Sequence, residues 1–191
     1  MAKFFYMIGS SGAGKDSIVR YIRPRLSNDA KIIFAHRYIT RPDHLGSENY
    51  VYLTDKEFNL RDESGFFLMK WEANGYRFAV GNEVLDWMEK GFYVLVQGSR
   101  EYLPEASEIL RDRFVPLLVT IEEEVLRQRM MSELMFSSER IEEIIERNNQ
   151  FDISHPNLIT FENSGPIDLA GERLLSLLHA LSTCSDEVVL S

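Results

Sequence analysis

The chain has 191 residues, 45% of them hydrophobic, one cysteine and a formal charge of -9. That composition supports one domain with a substantial core and argues against disorder and against a broad nucleic-acid surface, so affinity for phosphorylated ligands has to come from a few placed Arg and Lys residues. Cys184 alone makes neither an internal disulfide nor a cysteine zinc site, and no stretch approaches the ~20 apolar residues of a membrane span. A cytoplasmic setting is expected, since the short apolar run after Lys3 falls below the about seven residues of a signal-peptide core.

Phe4 to Ile8 reads as a buried strand, and Gly9-Ser10-Ser11-Gly12-Ala13-Gly14-Lys15 follows at once. Ile18, Val19, Tyr21, Ile22 and Leu26 then fall at helical spacing. Strand, glycine-rich turn, lysine and amphipathic helix are the context of a phosphate-binding P-loop. Its backbone N–H groups and the helix N-terminus favour an anion, and Lys15 adds a full charge for the outer phosphates. The usual hydroxyl after the lysine is replaced by Asp16, and Ser17 comes one residue late. Asp16 is either a magnesium ligand, direct or through water, or a carboxylate favoured by the helix macrodipole.

Lys31 to Ala35 is a second strand. Arg37 and Arg41 follow it, four apart, suited either to clamping an anion or to lying solvated on the surface; the place after the second strand favours the clamp. Residues 42–80 break the strand–helix alternation and are expected to form a small inserted lobe that grips the acceptor. Within it Val51 to Leu53 is extended, Thr54 to Glu57 resembles a capping box, and Phe66 to Trp71 and Tyr76 to Val80 are strands turned through Asn74-Gly75. A helix with Val84, Leu85 and Met88 on one side comes next.

Phe92 to Val96 is the third core strand, apolar on both faces and so central and parallel. Gln97-Gly98-Ser99-Arg100 follows it, where many P-loop enzymes carry an acid for magnesium. Leu103 to Leu110 is a helix, with Pro104 in its first turn. Phe114 to Ile121 is the fourth strand, and Pro116 predicts an unpaired or edge position at its start. Glu122 to Met131 is a helix, and Ser137-Ser138-Glu139 caps another that runs to about Gln150. Leu158 to Phe161 is the fifth strand, Asn163 to Gly165 turns out of it, and Ile167 to Leu181 is a final amphipathic helix. Strands alternating with helices imply a three-layer α/β domain over residues 1–191 with a five-stranded parallel sheet, ligands lying at the strands' carboxyl ends.

The motifs together carry a resemblance. GSSGAGKDS with its Asp16, AHRYITR (Ala35 to Arg41), GSEN (Gly46 to Asn49), WEANG (Trp71 to Gly75), VG-E (Val80 to Glu83), VLVQGSR (Val94 to Arg100) and, more weakly, LRQR (Leu126 to Arg129) resemble the ribose 1,5-bisphosphate phosphokinase family. That family is part of the guanylate-kinase-like branch of the nucleoside monophosphate kinases. The resemblance implies transfer of the ATP γ-phosphoryl group to ribose 1,5-bisphosphate, with Mg2+, to give 5-phosphoribosyl diphosphate. It implies ATP binding by Gly9, Ser10, Ser11, Gly12, Ala13, Gly14, Lys15, Asp16, Ser17 and Asn163. Arg37, Arg41, Glu48 and Arg100 are expected on the acceptor side, and Lys15, Arg37, Arg41, Arg100, Arg129 and Arg140 are the expected catalytic cations, with Asp16 as metal ligand. Relatives carry an arginine-rich lid where residues 130–140 here read Met130, Met131, Ser132, Glu133, Leu134, Met135, Phe136 and on to Arg140. Arg129, Arg140 or Arg147 compensates, or the chain is a weakened kinase or a nucleotide-binding regulator. A nucleoside monophosphate kinase with another acceptor is the remaining alternative. The partners expected are a small phosphorylated sugar or nucleotide, without nucleic acid or membrane, in a monomer or homodimer.

Overall fold

The computed structural model describes residues 1–27, 30–42, 49–132 and 136–183. Its organising strand is β1 (Phe4–Gly9), whose Phe4, Phe5, Tyr6, Met7 and Ile8 are all at most 1% exposed. Each such side chain contributes about 1.5–3 kcal/mol by leaving water. β1 lies in the middle of a five-stranded sheet in the order β2 (Ile32–Phe34), β7 (Tyr93–Gln97), β1, β8 (Phe114–Thr120), β9 (Ile159–Glu162). Every pairing in it is parallel. The expected five-stranded parallel sheet is therefore present, with β7 interior but beside the central strand rather than being it.

Alternation along β1 sends Phe4, Tyr6 and Ile8 to one face and Phe5 and Met7 to the other. On the first face lie α3 (Glu83–Glu89) and α4 (Leu103–Leu110), through Val84, Met88, Leu103, Ala106 and Leu110. On the second lie α1 (Lys15–Ile22) and α7 (Ile167–Thr183), through Ile18, Ile22, Leu174 and Leu178. These are the three layers. No helix among the described residues is long and apolar enough to cross a membrane.

A second sheet, mixed and four-stranded, runs β4 (Tyr50–Tyr52), β3 (Arg37–Ile39), β6 (Tyr76–Gly81), β5 (Phe67–Ala73). It begins at Arg37, earlier than residue 42: the segment read as a connection after the second strand is itself a strand. β3 is only three residues long, too short to show a period. The inner face of this sheet, with Ile39, Met69, Trp71, Phe78 and Val80, belongs to the same core cluster as Phe4 and Tyr6. Its outer face is covered by α2 (Asp55–Glu63) through Phe58, beside Leu53 and Ala79. Thr54 caps α2 by accepting a hydrogen bond from the N–H of Glu57 at 3.2 Å. The β5–β6 hairpin turns through Asn74 and Gly75, both at positive φ (51° and 77°), the geometry of the turn that Asn-Gly favours.

Pro116 has the unpaired position expected for it on one side of β8, though not at a sheet edge. β8 is interior, not an edge, and pairs with β1 from Phe114 to Val119. The ladder to β9 starts only at Leu117, so Pro116 sits just before a neighbour arrives on that side. Beyond β8, α5 (Glu123–Ser132) and α6 (Ser138–Asn149) form a pair with its own cluster of Leu126, Met130, Ile141, Ile144 and Ile145. Ser137 caps α6, accepting from the N–H of Arg140 at 3.3 Å.

The turn after β7 is fixed from below by Tyr6. Its hydroxyl donates to the Ser99 carbonyl (3.2 Å) and accepts from the Ser99 N–H (2.9 Å), and a Cβ at Gly98 would collide with its ring. Burial pushes the Tyr6 phenol well above its ordinary range, so it stays a neutral donor. Tyr6→Phe keeps the ring but leaves a part-buried backbone pair without its partner. We expect a loss of about 1–3 kcal/mol, measured by urea denaturation, with the fold retained.

Candidate active site

Because all five strands of the main sheet are parallel, Gly9, Phe34, Gln97, Thr120 and Glu162 end at one edge, and the loops that follow them meet there. The glycine-rich loop leaves the central strand. A Cβ at Gly9 would strike the Val119 carbonyl of β8, so only glycine lets the chain turn so close to its neighbour. The loop closes with the Ala13 N–H donating to the Ser10 carbonyl at 3.2 Å, and α1 starts at Lys15. Lys15 Nζ donates to the carbonyls of Gly9 and Ser10, both at 2.8 Å, which holds its ammonium at the loop. Asp16 is half-buried in the first turn of α1, while Ser17 is exposed.

Asn163, immediately after β9, is the loop's clamp. It is 1% exposed, its Nδ2 donates to the Ala13 carbonyl at 2.7 Å, and its own N–H donates to Thr120 at 2.8 Å. Among the described residues its buried Oδ1 has no hydrogen-bond partner. α5 closes the loop's other side. A Cβ at Gly14 would lie 2.6 Å from Asn163 Nδ2 and 3.4 Å from a terminal nitrogen of Arg129, whose guanidinium also donates to the Gly165 carbonyl at 3.2 Å. Met130 is buried in the α5–α6 cluster and also borders Gly12, so its apolar character serves packing.

The arginines expected to act divide into two groups. Arg37 lies at the start of β3 and donates to Gln97 Oε1 at 3.3 Å, in a narrow cleft shared with Phe34, Ala35, Asn49 and Leu95. Arg41 stands over the Tyr50 ring at 5.4 Å. Arg100 is half-buried, stacked over Phe151 at 4.3 Å and bonded to Asn148 Oδ1 at 2.8 Å; burial first, then the nearby charge of Arg147, lowers its pKa. Arg129 reaches the loop as described. Arg140, in contrast, is exposed and pairs with Glu143 of its own helix at 2.7 Å, and Arg147 pairs with Glu101 at 2.7 Å. The geometry thus brings Lys15, Arg129 and Asn163 together around the loop, and sets Arg37 beside the end of β7. It does not bring Arg140 to them. Glu48, and residues 133–135 of the lid segment, lie outside the described residues.

Asn49 and Gln97, which line the cleft, and Tyr50, under Arg41, are not among the site residues the sequence points to. Asn49 donates to the Phe34 carbonyl at 3.2 Å and accepts from Arg23 at 3.2 Å, tying the lobe to the main sheet. Tyr50 lies beneath Arg41, and Gln97 holds Arg37. Gln97 carries two signals, its place at the end of a buried strand and its part in VLVQGSR, but neither names its partner. Among the described residues no group of three or more His, Cys, Asp or Glu could hold a metal.

No protein-family model matches the chain. It is 42% identical over 179 residues to the ribose 1,5-bisphosphate phosphokinase PhnN of Thiobacillus denitrificans, covering 92% of each chain. The protein of that name from Yersinia pestis is 36% identical over 189 residues, covering 98% of this chain and 97% of its own. The chain belongs to the ribose 1,5-bisphosphate phosphokinase family. The guanylate kinase of Anaplasma phagocytophilum shares the fold of this family member, with a TM-score of 0.66 at 18% identity over 95% of this chain and 88% of that one.

In this phosphokinase the loop's shape is held from outside by one amide. Asn163→Ala removes the bond to the Ala13 carbonyl. We expect a stability loss of about 1–3 kcal/mol, seen as a lowered urea midpoint. Faster amide hydrogen exchange at residues 10–14 than in the body of β1 is the accompanying sign.

Proposed function

We propose that this chain transfers the γ-phosphoryl group of ATP to the 1-phosphate of ribose 1,5-bisphosphate, forming 5-phosphoribosyl diphosphate and ADP. The observation that carries this reading is family membership across nine-tenths of the chain, joined to a glycine loop and arginines at one edge of a parallel sheet. In the reaction an oxygen of the acceptor phosphate bonds to the γ-phosphorus as the bond to the ADP oxygen breaks. That oxygen is already ionised, so no general base is required. The difficulty is holding two anions in line, which is a matter of position and charge neutralisation.

The residues fit those tasks. The backbone N–H groups of the loop and Lys15 take the ATP phosphates. The buried Oδ1 of Asn163, beside the loop, offers an acceptor to a donor group of the nucleotide. Arg37 and Arg41 take the acceptor's phosphates, with Arg100 on the same side. Asp16, half-buried beside Lys15, fits a hard cation that takes one protein carboxylate and completes its shell with phosphate oxygens and water. Bound there, Mg2+ would neutralise the charge that develops on the phosphate oxygens.

An ATP-consumption assay with ribose 1,5-bisphosphate, GMP, AMP and gluconate as acceptors tests the reading. Turnover is expected with the ribose bisphosphate alone. Lys15→Ala should lower it by at least about a hundredfold while thermal melting stays near that of the wild type. Preference for GMP would return the chain to nucleoside monophosphate kinases. ATP binding without turnover of any acceptor would make it a nucleotide-binding regulator.

The compensating lid arginine is Arg129 in this reading, because it already lies against Gly14, while Arg140 is engaged on the surface of α6. At saturating ATP and acceptor, Arg129→Ala should cost about 10³-fold in kcat, the scale of an arginine reaching a transferring phosphoryl. Arg140→Ala should leave kcat within about threefold, since exposed pairs contribute little. The reverse order would transfer the role to Arg140.

A further inference from the structure

At the end of β7 the chain has an amide where many P-loop enzymes carry an acid. The structure gives that amide a partner: Arg37 donates to Gln97 Oε1 at 3.3 Å. A guanidinium only donates, so the amide has to present its oxygen and turn its NH2 away. Gln97 is well placed to fix a neighbour. Its backbone lies in the ladder with Met7 of the central strand, and the next N–H, that of Gly98, donates to the Met7 carbonyl at 2.9 Å. The turn after it is pinned by Tyr6. Arg37 is also flanked by the Phe78 ring, 5.8 Å from its central carbon. Two other cations of the site are held in the same manner, Arg100 by Asn148 and Arg129 by the Gly165 carbonyl.

We propose that Gln97 is a positioning residue that orients Arg37 toward a highly charged phosphorylated acceptor without adding a negative charge to the cleft. The inference rests on the reading that places Arg37 on the acceptor side. A carboxylate at this position would hold Arg37 more tightly. It would also repel the incoming phosphate across a half-buried cleft, where screening by water is reduced. The amide gives orientation at no electrostatic cost to a bisphosphate.

The experiment is steady-state kinetics on the full chain with ATP and ribose 1,5-bisphosphate, comparing Gln97→Glu and Gln97→Met, each alone and combined with Arg37→Ala. Glu keeps the acceptor oxygen and adds charge; Met keeps the shape and removes the acceptor. Gln97→Glu should raise the acceptor KM at least about tenfold, and Gln97→Met about two- to tenfold. The ATP KM should hold within about twofold for both. In the Arg37→Ala background the Gln97→Met effect should fall below about twofold, the sign of coupling through Arg37, while the direct repulsion by Gln97→Glu should persist. If Arg37→Ala raises the acceptor KM, but Gln97→Glu does not, the inference is overturned and the reading of function stands. An effect of Gln97→Met that persists undiminished without Arg37 overturns it likewise. So does a reduced magnesium requirement with unchanged acceptor KM, which would assign the position to the metal. An Arg37→Ala variant with wild-type acceptor KM would remove the acceptor-side reading itself and the inference with it.

Discussion

The close approach of Gly9 to the Val119 carbonyl sets the geometry on which the rest of the site depends. β1 is paired on both edges and buried on both faces, so its end is fixed by four neighbours rather than by the loop's own sequence. A loop leaving such a strand has little freedom of position. What freedom is left is removed from outside, by Asn163 at the Ala13 carbonyl and by the packing of α5 over Gly12 and Gly14. Pre-organisation of this kind lets backbone N–H groups face an anion without reorganising when it arrives.

Charge is distributed in two distinct ways. The chain is acidic, at -9, so its cations are scarce where an anion must bind. On the surface, Arg61, Arg77, Arg127, Arg140 and Arg147 pair with carboxylates. At the sheet's carboxyl edge neutral groups take part in holding the cations: loop carbonyls bond Lys15, an amide Arg37, Asn148 Arg100 and a carbonyl Arg129. A neutral acceptor orients a cation and leaves its field available to a ligand. A carboxylate at the same distance would cancel much of that field.

Much of this was legible in the sequence. The five core strands, the Asn-Gly hairpin, the Thr54 and Ser137 caps and the P-loop each have a local cause, so periodicity and turn chemistry reveal them. What stayed hidden depends on contacts distant in sequence. Arg37–Ile39 is too short to show a period and becomes a strand only because β4 and β6 flank it. Pro116 marks an end unpaired on one side, but a sequence does not say that the other side carries the β1 ladder. Arg129 and Arg140 looked equivalent along the chain, yet α5 faces the loop with one while α6 carries the other on its surface. Gln97 was visible as an absence, and its bond to Arg37 spans 60 residues.

The topology also has a consequence for how the chain is made. β1 leaves the ribosome well before its partners β7 and β8, which end at Gln97 and Thr120. Translation at about 5–20 residues per second leaves the central strand without either ladder for roughly five to twenty seconds. During that time an apolar run, FFYMI, has no sheet to join. Contacts of such long range favour slow folding and give little reward before most of the chain is present. The glycine-rich loop, which hangs from that strand, is held in place only once β7 and β8 have been made.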